Sequence, residues 1–272
     1  GTVSALNLSQ GPLNIVYVVD HSGSMSSQFA GNVNVGDRNG DGSSNTTLDA
    51  AIASFEKLNE VLVKSGLGSQ VNAAFIPFDD TASVDYQGSL TADRDGDGVA
   101  DIVESLRGLT VAGGTNYTAA LQKATEFLER QPVGRNVVFF VSDGAPNDRV
   151  YETSVLPALR NLGQGSTVIR AIGTGAGANE EVLDLLDDGI SNNSAQIVLN
   201  PEDLDVSLTD LVQAVPDSAW VEIYRNGVLT FNRPVKEYSS ESYRRMFTIR
   251  SDRGVRLISE PAVESCLDLA VE

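Results

Sequence analysis

Apolar positions along this chain follow two rhythms in alternation. Residues 14–19, 71–78, 136–141 and 166–172 form short runs rich in Val, Ile, Ala and Phe with little polar interruption. Runs of that length and β-branched content are strands buried on both faces. Between them the apolar residues fall at helical spacing. Leu48, Ala51, Ile52, Phe55, Leu58, Leu62 and Val63 predict one helix, with Gly66 as its stop, and residues 116–130, 152–162, 179–188 and 201–214 predict others. A strand at 195–199 and a short antiparallel edge strand at 82–86 complete the set. Strand and helix in turn predict an α/β fold, a doubly wound, mostly parallel sheet flanked by helices.

The pattern changes near Pro216. Residues 1–216 carry 28 acids and 11 bases, whereas 217–272 carry 9 and 8, so the tail is a unit of different character. Within it, alternating runs at 219–224 and 228–231 flank Asn226-Gly227, a strong hairpin signal, and further strands are expected at 246–250, 255–259 and 266–271. The expected organisation is a flanking segment 1–13, an α/β domain 14–215 with loop insertions near 28–49 and 87–108, and a small β-rich extension 216–272. Alternation at 2–8 suggests that the flanking segment adds a strand to that extension.

Composition narrows the partners. At 41% apolar the chain can fill a core, but no stretch approaches the roughly 18 continuous apolar residues of a membrane span, so no direct membrane insertion is expected. A net charge of −18 disfavours nucleic acid and anionic membranes and favours divalent cations. Cys266 is the one cysteine and His21 the one histidine, which leaves neither an internal disulfide nor a Cys/His zinc set. Gly1 in place of Met suggests a piece of a longer chain, so neighbouring domains are expected. Sequons begin at Asn7, Asn45, Asn116 and Asn192, and a glycan on Asn116 would crowd the site described next, which argues against a eukaryotic secretory origin.

Asp20, Ser22 and Ser24 leave the first buried strand at every second position, where ligands of open α/β sheets gather. One carboxylate and two hydroxyls form a set of hard oxygens suited to Mg²⁺ or Ca²⁺. Two later positions join them: Thr115 follows Gly113-Gly114, and Asp143 closes the strand 136–142. In this order the five residues resemble the metal-ion-dependent adhesion site of von Willebrand factor A domains, and the likeness extends over roughly residues 14–215. The resemblance implies Ser22, Ser24 and Thr115 as direct ligands, with Asp20 and Asp143 binding directly or through water. It implies a Mg²⁺ or Ca²⁺ ion whose open position is completed by a carboxylate of a protein or peptide. That is binding without a broken bond, so no enzyme is expected.

A second cluster matches a 12-residue EF-hand loop, with Asp93, Asp95, Asp97, the Val99 carbonyl, Asp101 and Glu104 as ligands around Gly96. Acids at alternate positions repel one another unless a cation unites them, which points to Ca²⁺. Asp37, Asn39, Asp41, Ser43 and Asn45 begin the same way, but position 12 is Leu48 and the carboxylate, Asp49, comes one residue late. A further calcium loop and a Gly/Asn-rich turn both remain open there. Calcium-loop insertions of this kind resemble those of bacterial RTX surface adhesins, which implies an extracellular, cell-surface protein working in millimolar calcium. The alternative is a calcium-stiffened spacer without a ligand of its own. A hydrolase is disfavoured because His21 lies between Asp20 and Ser22, and consecutive residues leaving a strand point apart. The stretch 173–178 has the glycine spacing of a pyrophosphate cradle, but Glu180 and Glu181 open the following helix and repel phosphate.

Overall fold

The computed structural model describes residues 12–162, 167–188, 194–204, 220–225 and 228–234. Strands β1 (Leu13–Asp20), β2 (Val71–Phe78), β3 (Tyr86–Gly88), β4 (Arg135–Ser142), β5 (Thr167–Thr174) and β6 (Gln196–Val198) form one sheet in the order β3-β2-β1-β4-β5-β6. Only β3 runs antiparallel. Every residue of β1 and β4 is buried, as expected of strands covered on both faces.

Side chains alternate across the sheet and divide the core in two. Ile15, Tyr17 and Val19 join Phe55 and Leu58 of α1 (Thr47–Leu62) and Ile102 and Leu106 of α2 (Asp101–Arg107). Val16 and Val18 join Ala120, Leu121 and Ala124 of α3 (Tyr117–Leu128) on the other face. The Tyr17 ring lies 4.7 Å from that of Phe55 between centroids, and burial of such a ring is worth about 1.5–3 kcal/mol.

Three elements differ from the sequence expectation. The edge strand is at Tyr86–Gly88 rather than 82–86, because 79–82 make a tight turn in which Asp79 N–H bonds Thr81 O and Phe78 bridges Ala82. The expected helix 152–162 is broken into α4 (Tyr151–Ser154) and α5 (Leu156–Arg160) by Pro157, which has no N–H to give the preceding turn. The helix expected at 179–188 is shortened to α6 (Glu180–Asp184). Near 201–214 the structure has a short 3₁₀ turn, Pro201–Asp203, and 205–214 lie outside the described residues.

Contacts group Gly11–Ala214 into one compact unit. The expected hairpin, β7 (Trp220–Arg225) with β8 (Val228–Pro234), is antiparallel and belongs to the other. The expected strands at 2–8, 246–250, 255–259 and 266–271, and Cys266, lie outside the described residues. No helix among the described residues is long and apolar enough to cross a membrane.

A polar ladder crosses the amino end of the sheet in register. Asn72 Nδ2 donates to Asn14 Oδ1 (2.9 Å), Asn14 Nδ2 to Asn136 Oδ1 (2.8 Å), and Asn136 Nδ2 to Thr167 Oγ1 (3.1 Å). A one-residue slip of any of these strands would separate the pairs, so the ladder opposes misregister as well as filling hydrogen bonds. Asn14→Ala orphans a donor on Asn72 and an acceptor on Asn136. We expect it to lower unfolding free energy by about 2–4 kcal/mol in urea denaturation, and a loss below about 0.5 kcal/mol would show the ladder to be dispensable.

Candidate metal centre

The parallel pairing of β1 with β4 sets Asp20 beside the end of β4. Asp20 continues the face of Val16 and Val18, and Ser142 that of Val138 and Phe140, so both point toward α3. There Ser142 Oγ donates to Asp20 Oδ2 at 2.5 Å, and the Ser22 N–H donates to Asp20 Oδ1 at 2.8 Å. The chain then makes a 3₁₀ turn, Gly23–Ser26, anchored by the fully buried Met25. This turn brings Ser22 Oγ within 3.1 Å of Ser24 Oγ, and Ser24 Oγ donates to Asp143 Oδ1 at 2.9 Å.

Thr115 arrives on a separate loop held by its backbone. Gly23 N–H bonds Gly113 O (3.1 Å), Ala112 N–H bonds His21 O (2.8 Å), and Asn147 N–H bonds Thr115 O (2.8 Å). Gly113 has φ +57°, and a Cβ there would lie 2.8 Å from Asp79 Oδ2, so both backbone conformation and space call for glycine. Thr115 is buried, but among the described residues no hydrogen bond joins its side chain to the other four. His21 Nδ1 donates to Thr110 O at 2.8 Å. The glycine-rich stretch 173–178 bends away from β5 at Gly175, φ +80°, and Ala176 N–H bonds Ala30 O at 3.0 Å.

Asp20 is completely buried, and burial pushes its carboxyl up to about 6. Hydrogen bonds from Ser142 and Ser22 oppose the shift, and the nearby Asp143 adds to it. Burial also raises Asp143, against the Ser24 hydrogen bond. Among the described residues neither carboxylate has a cationic side-chain partner. A buried acid, Asp20, and a half-buried one, Asp143, with no counter-charge, beside two hydroxyls and with oxygen donors only, are chemically fitted to a hard divalent cation.

The two acidic loops share one hydrogen-bond pattern. Asp93 accepts from Gly96 N–H (2.7 Å) and Gly98 N–H (3.0 Å), as Asp37 accepts from Gly40 N–H (2.7 Å) and Gly42 N–H (3.0 Å). Asp97 accepts from Val99 N–H, and Asp41 from Ser43 N–H, both at 2.7 Å. The Gly96 N–H holds Asp93, and the Ser43 N–H holds Asp41, below the usual carboxylate range. Carboxylate oxygens of Asp93, Asp95 and Asp97 lie within 4.8 Å of one another. Burial raises Glu104, with the charges of Asp95, Asp97, Asp101 and Asp93 adding to it.

The loops close differently. Asp101 Oδ1 accepts the Arg94 N–H at 2.9 Å, and Asp49 Oδ1 accepts the Arg38 N–H at 2.6 Å. Asp49 thus stands where Asp101 stands in the other loop. Its second oxygen accepts from Thr46 N–H (2.8 Å) and Thr46 Oγ1 (2.7 Å) in a capping box at the start of α1. Asn45, at φ +60°, turns its Oδ1 back to the Val35 N–H at 2.9 Å. Sequence reasoning missed Ser142, whose signal was a hydroxyl ending an otherwise apolar strand directly before Asp143, and Glu56. Glu56 on α1 pairs with Arg38 of the first loop (3.1 Å) and with Arg107, at the end of the helix after the second (2.6 Å).

The Asp20 shift has a defined sign. Folded Asp20 keeps its proton to about pH 6, whereas its ordinary value is 3.8. Without ions, stability therefore falls as pH rises between those values, by about 3 kcal/mol in all, and stays reduced above them. Asp20→Asn removes this charge. In urea denaturation with chelator, we expect the variant to gain on the parent between pH 4 and pH 7. An equal difference at both pH values would refute the assignment.

The sequence profile of the von Willebrand factor type A domain matches residues 14–214. Similar solved structures include the PilB minor pilin from Streptococcus sanguinis, at TM-score 0.51 and 15% identity, covering 75% of this chain and 61% of that one. The pilus adhesin SpaC from Lactobacillus rhamnosus GG superposes at TM-score 0.50 and 14% identity, over 76% of this chain and 30% of that one. Proximal thread matrix protein 1 from the mussel byssus superposes at TM-score 0.51 and 18% identity, over 75% and 46%. This chain spans less than two thirds of the length of each, and at these identities the likeness is one of fold. A search of curated proteins finds no match. With a profile match over most of its length and a six-stranded, mostly parallel sheet flanked by helices, the chain belongs to the von Willebrand factor type A domain family.

Proposed function

We propose that this chain is an adhesion module that captures a carboxylate-bearing protein or peptide through a divalent ion at Asp20, Ser22, Ser24, Thr115 and Asp143. The observation that carries the reading is the convergence of Ser22, Ser24 and Asp143 through hydrogen bonds of 3.1 and 2.9 Å beside the buried, cation-free Asp20. Bound there, Mg²⁺ or Ca²⁺ would offer an open coordination position to a carboxylate. The hydroxyls of Ser22, Ser24 and Thr115 give neutral oxygens, and Asp20 and Asp143 supply charge directly or through water, so few anions compete with the incoming group. No bond is broken in such capture, and we assign the chain no enzymatic role.

We further assign Ca²⁺ to the loop of Asp93, Asp95, Asp97, Val99, Asp101 and Glu104, and to the matching loop of Asp37, Asn39, Asp41 and Ser43. In the Asp37 loop Asp49 acts as the cap that closes it. Calcium-dependent order would place the module on a cell surface, within a longer chain of the kind found in RTX adhesins. The names minor pilin and pilus adhesin, carried by two proteins of similar fold, are in keeping with that setting. The residues from 216 onward form, in this reading, a separate β-rich extension. The spacer reading draws on one observation, the bridging of both loop regions to α1 through Glu56.

Two measurements follow. Calcium titration by calorimetry should show Asp97→Asn losing one equivalent and Asp41→Asn another, and unchanged stoichiometry in either variant would remove that loop from the assignment. A pull-down from host or neighbouring-cell surface extract, at fixed millimolar calcium, should retain one or a few proteins that a Ser22→Ala/Ser24→Ala variant loses by at least about tenfold. Equal capture by both chains would leave the spacer reading in front.

A further inference from the structure

We propose that Ser142 is a positioning residue of the ion site, acting by fixing the orientation of the Asp20 carboxylate. The inference rests on the metal reading above. Ser142 is wholly buried and lies outside the five-residue pattern, so its effect on a bound ion would pass through Asp20.

The hydrogen bonds around Ser142 have a fixed direction. The Gly144 N–H donates to Ser142 Oγ at 3.2 Å, which turns the hydroxyl proton toward Asp20 Oδ2 at 2.5 Å. The Gly144 peptide is itself held at its other end, where Tyr117 OH donates to Gly144 O at 2.8 Å. A chain of oriented donors thus runs from α3 through the Gly144 peptide and Ser142 to Asp20.

Its consequence is geometric. Asp20 Oδ1 is already fixed by the Ser22 N–H at 2.8 Å, and with Oδ2 held by Ser142 the carboxylate cannot rotate without breaking one of two bonds. The next residue, Asp143, lies just beyond the end of β4 and accepts from Ser24 at 2.9 Å. One dipeptide therefore sets both acids of the site: Ser142 holds the first from behind, and Asp143 provides the second. Asp20 then presents its remaining lone pairs in a single direction, as a preorganised ligand or water acceptor must. A serine buried only for packing would lack this directional pair, and an alanine would serve it as well.

The test uses Mn²⁺ as the probe, followed by electron paramagnetic resonance, with the Ser22→Ala/Ser24→Ala variant defining the part of the binding that belongs to this site. Ser142→Ala is expected to weaken that part by about 10–100-fold, the usual effect of removing an outer partner of a ligand. Ser142→Thr, which keeps the hydroxyl, should restore it to within about threefold, by the same reasoning. Melting temperature in chelator separates positioning from packing. Unchanged Mn²⁺ affinity in Ser142→Ala, whether or not the melting temperature falls, overturns the inference and leaves the metal reading standing. If the double serine variant binds Mn²⁺ as the parent does, the metal reading falls and takes the inference with it.

Discussion

A carboxylate buried without a counter-charge is the constraint around which the carboxyl end of this sheet is arranged. Asp20 ends a strand on which every residue is buried, so it cannot reach water, and no cationic side chain among the described residues answers it. Desolvation of an isolated carboxylate is costly enough that such a group either keeps its proton or finds donors. Here it has both a raised titration and two donors, Ser22 N–H and Ser142 Oγ. Each donor is in turn fixed by something else: Ser22 by the 3₁₀ turn over Met25, and Ser142 by Gly144 and the strand pairing of β4. The loops above the sheet follow from those two demands, and the Gly113–Thr115 loop is drawn in by bonds to the same turn.

The parallel sheet was readable because its strands are short, β-branched and bounded by polar turns, and its helices because α1 and α3 repeat apolar residues on one face. What failed to read was local competition. Pro157 sits inside an apolar pattern of helical period, and the pattern says nothing about the missing N–H that divides α4 from α5. At the edge, 82–86 alternates like a strand, but Asp79 and Thr81 fold the chain into a turn first, and pairing begins only at Tyr86. Edge strands are set by such turn chemistry more than by burial, so their sequence signal is weak.

Within the site, the sequence separated residues by type and spacing but could not show direction. Asp20, Ser22, Ser24 and Asp143 form a connected set of hydrogen bonds in space, whereas Thr115 joins through backbone bonds alone. Ser142 showed only as a hydroxyl at a strand end, and only the register of β1 against β4 gives it a partner in Asp20. The loop at Asp37 shows the opposite error. Counting along the chain aligned Asp49 with position 12 of an EF-hand, one residue late. In three dimensions it does the work of Asp101, position 9 of the other loop, by accepting the N–H of the arginine that follows the first aspartate. A loop two residues longer, with its carboxylate two residues inside the closing helix, reaches the same geometry, and linear spacing conceals the match.

That geometry links the first acidic loop to the site mechanically. The insertion between Ser24 and α1 is pinched at its neck: Phe29 N–H bonds Asn45 O at 2.9 Å, Thr47 N–H bonds Ser27 O at 2.8 Å, and Gln28 bridges Thr46. Ser24 stands three residues before this neck, and Asp49 two residues after Thr47. A loop closed by Asp49 therefore fixes the neck, and the neck limits the freedom of the turn that carries Ser24. Phe29 and Val35 pack with Ala50 and Ala53 of α1 beneath the loop, so the neck is held by apolar contact as well. The Arg38–Glu56–Arg107 bridge ties the same helix to the end of α2. Exposed ion pairs of this kind contribute little stability singly. The Ser24 turn is therefore held by Met25 beneath it and by the neck behind it, whose second arm runs directly into the Asp49 capping box.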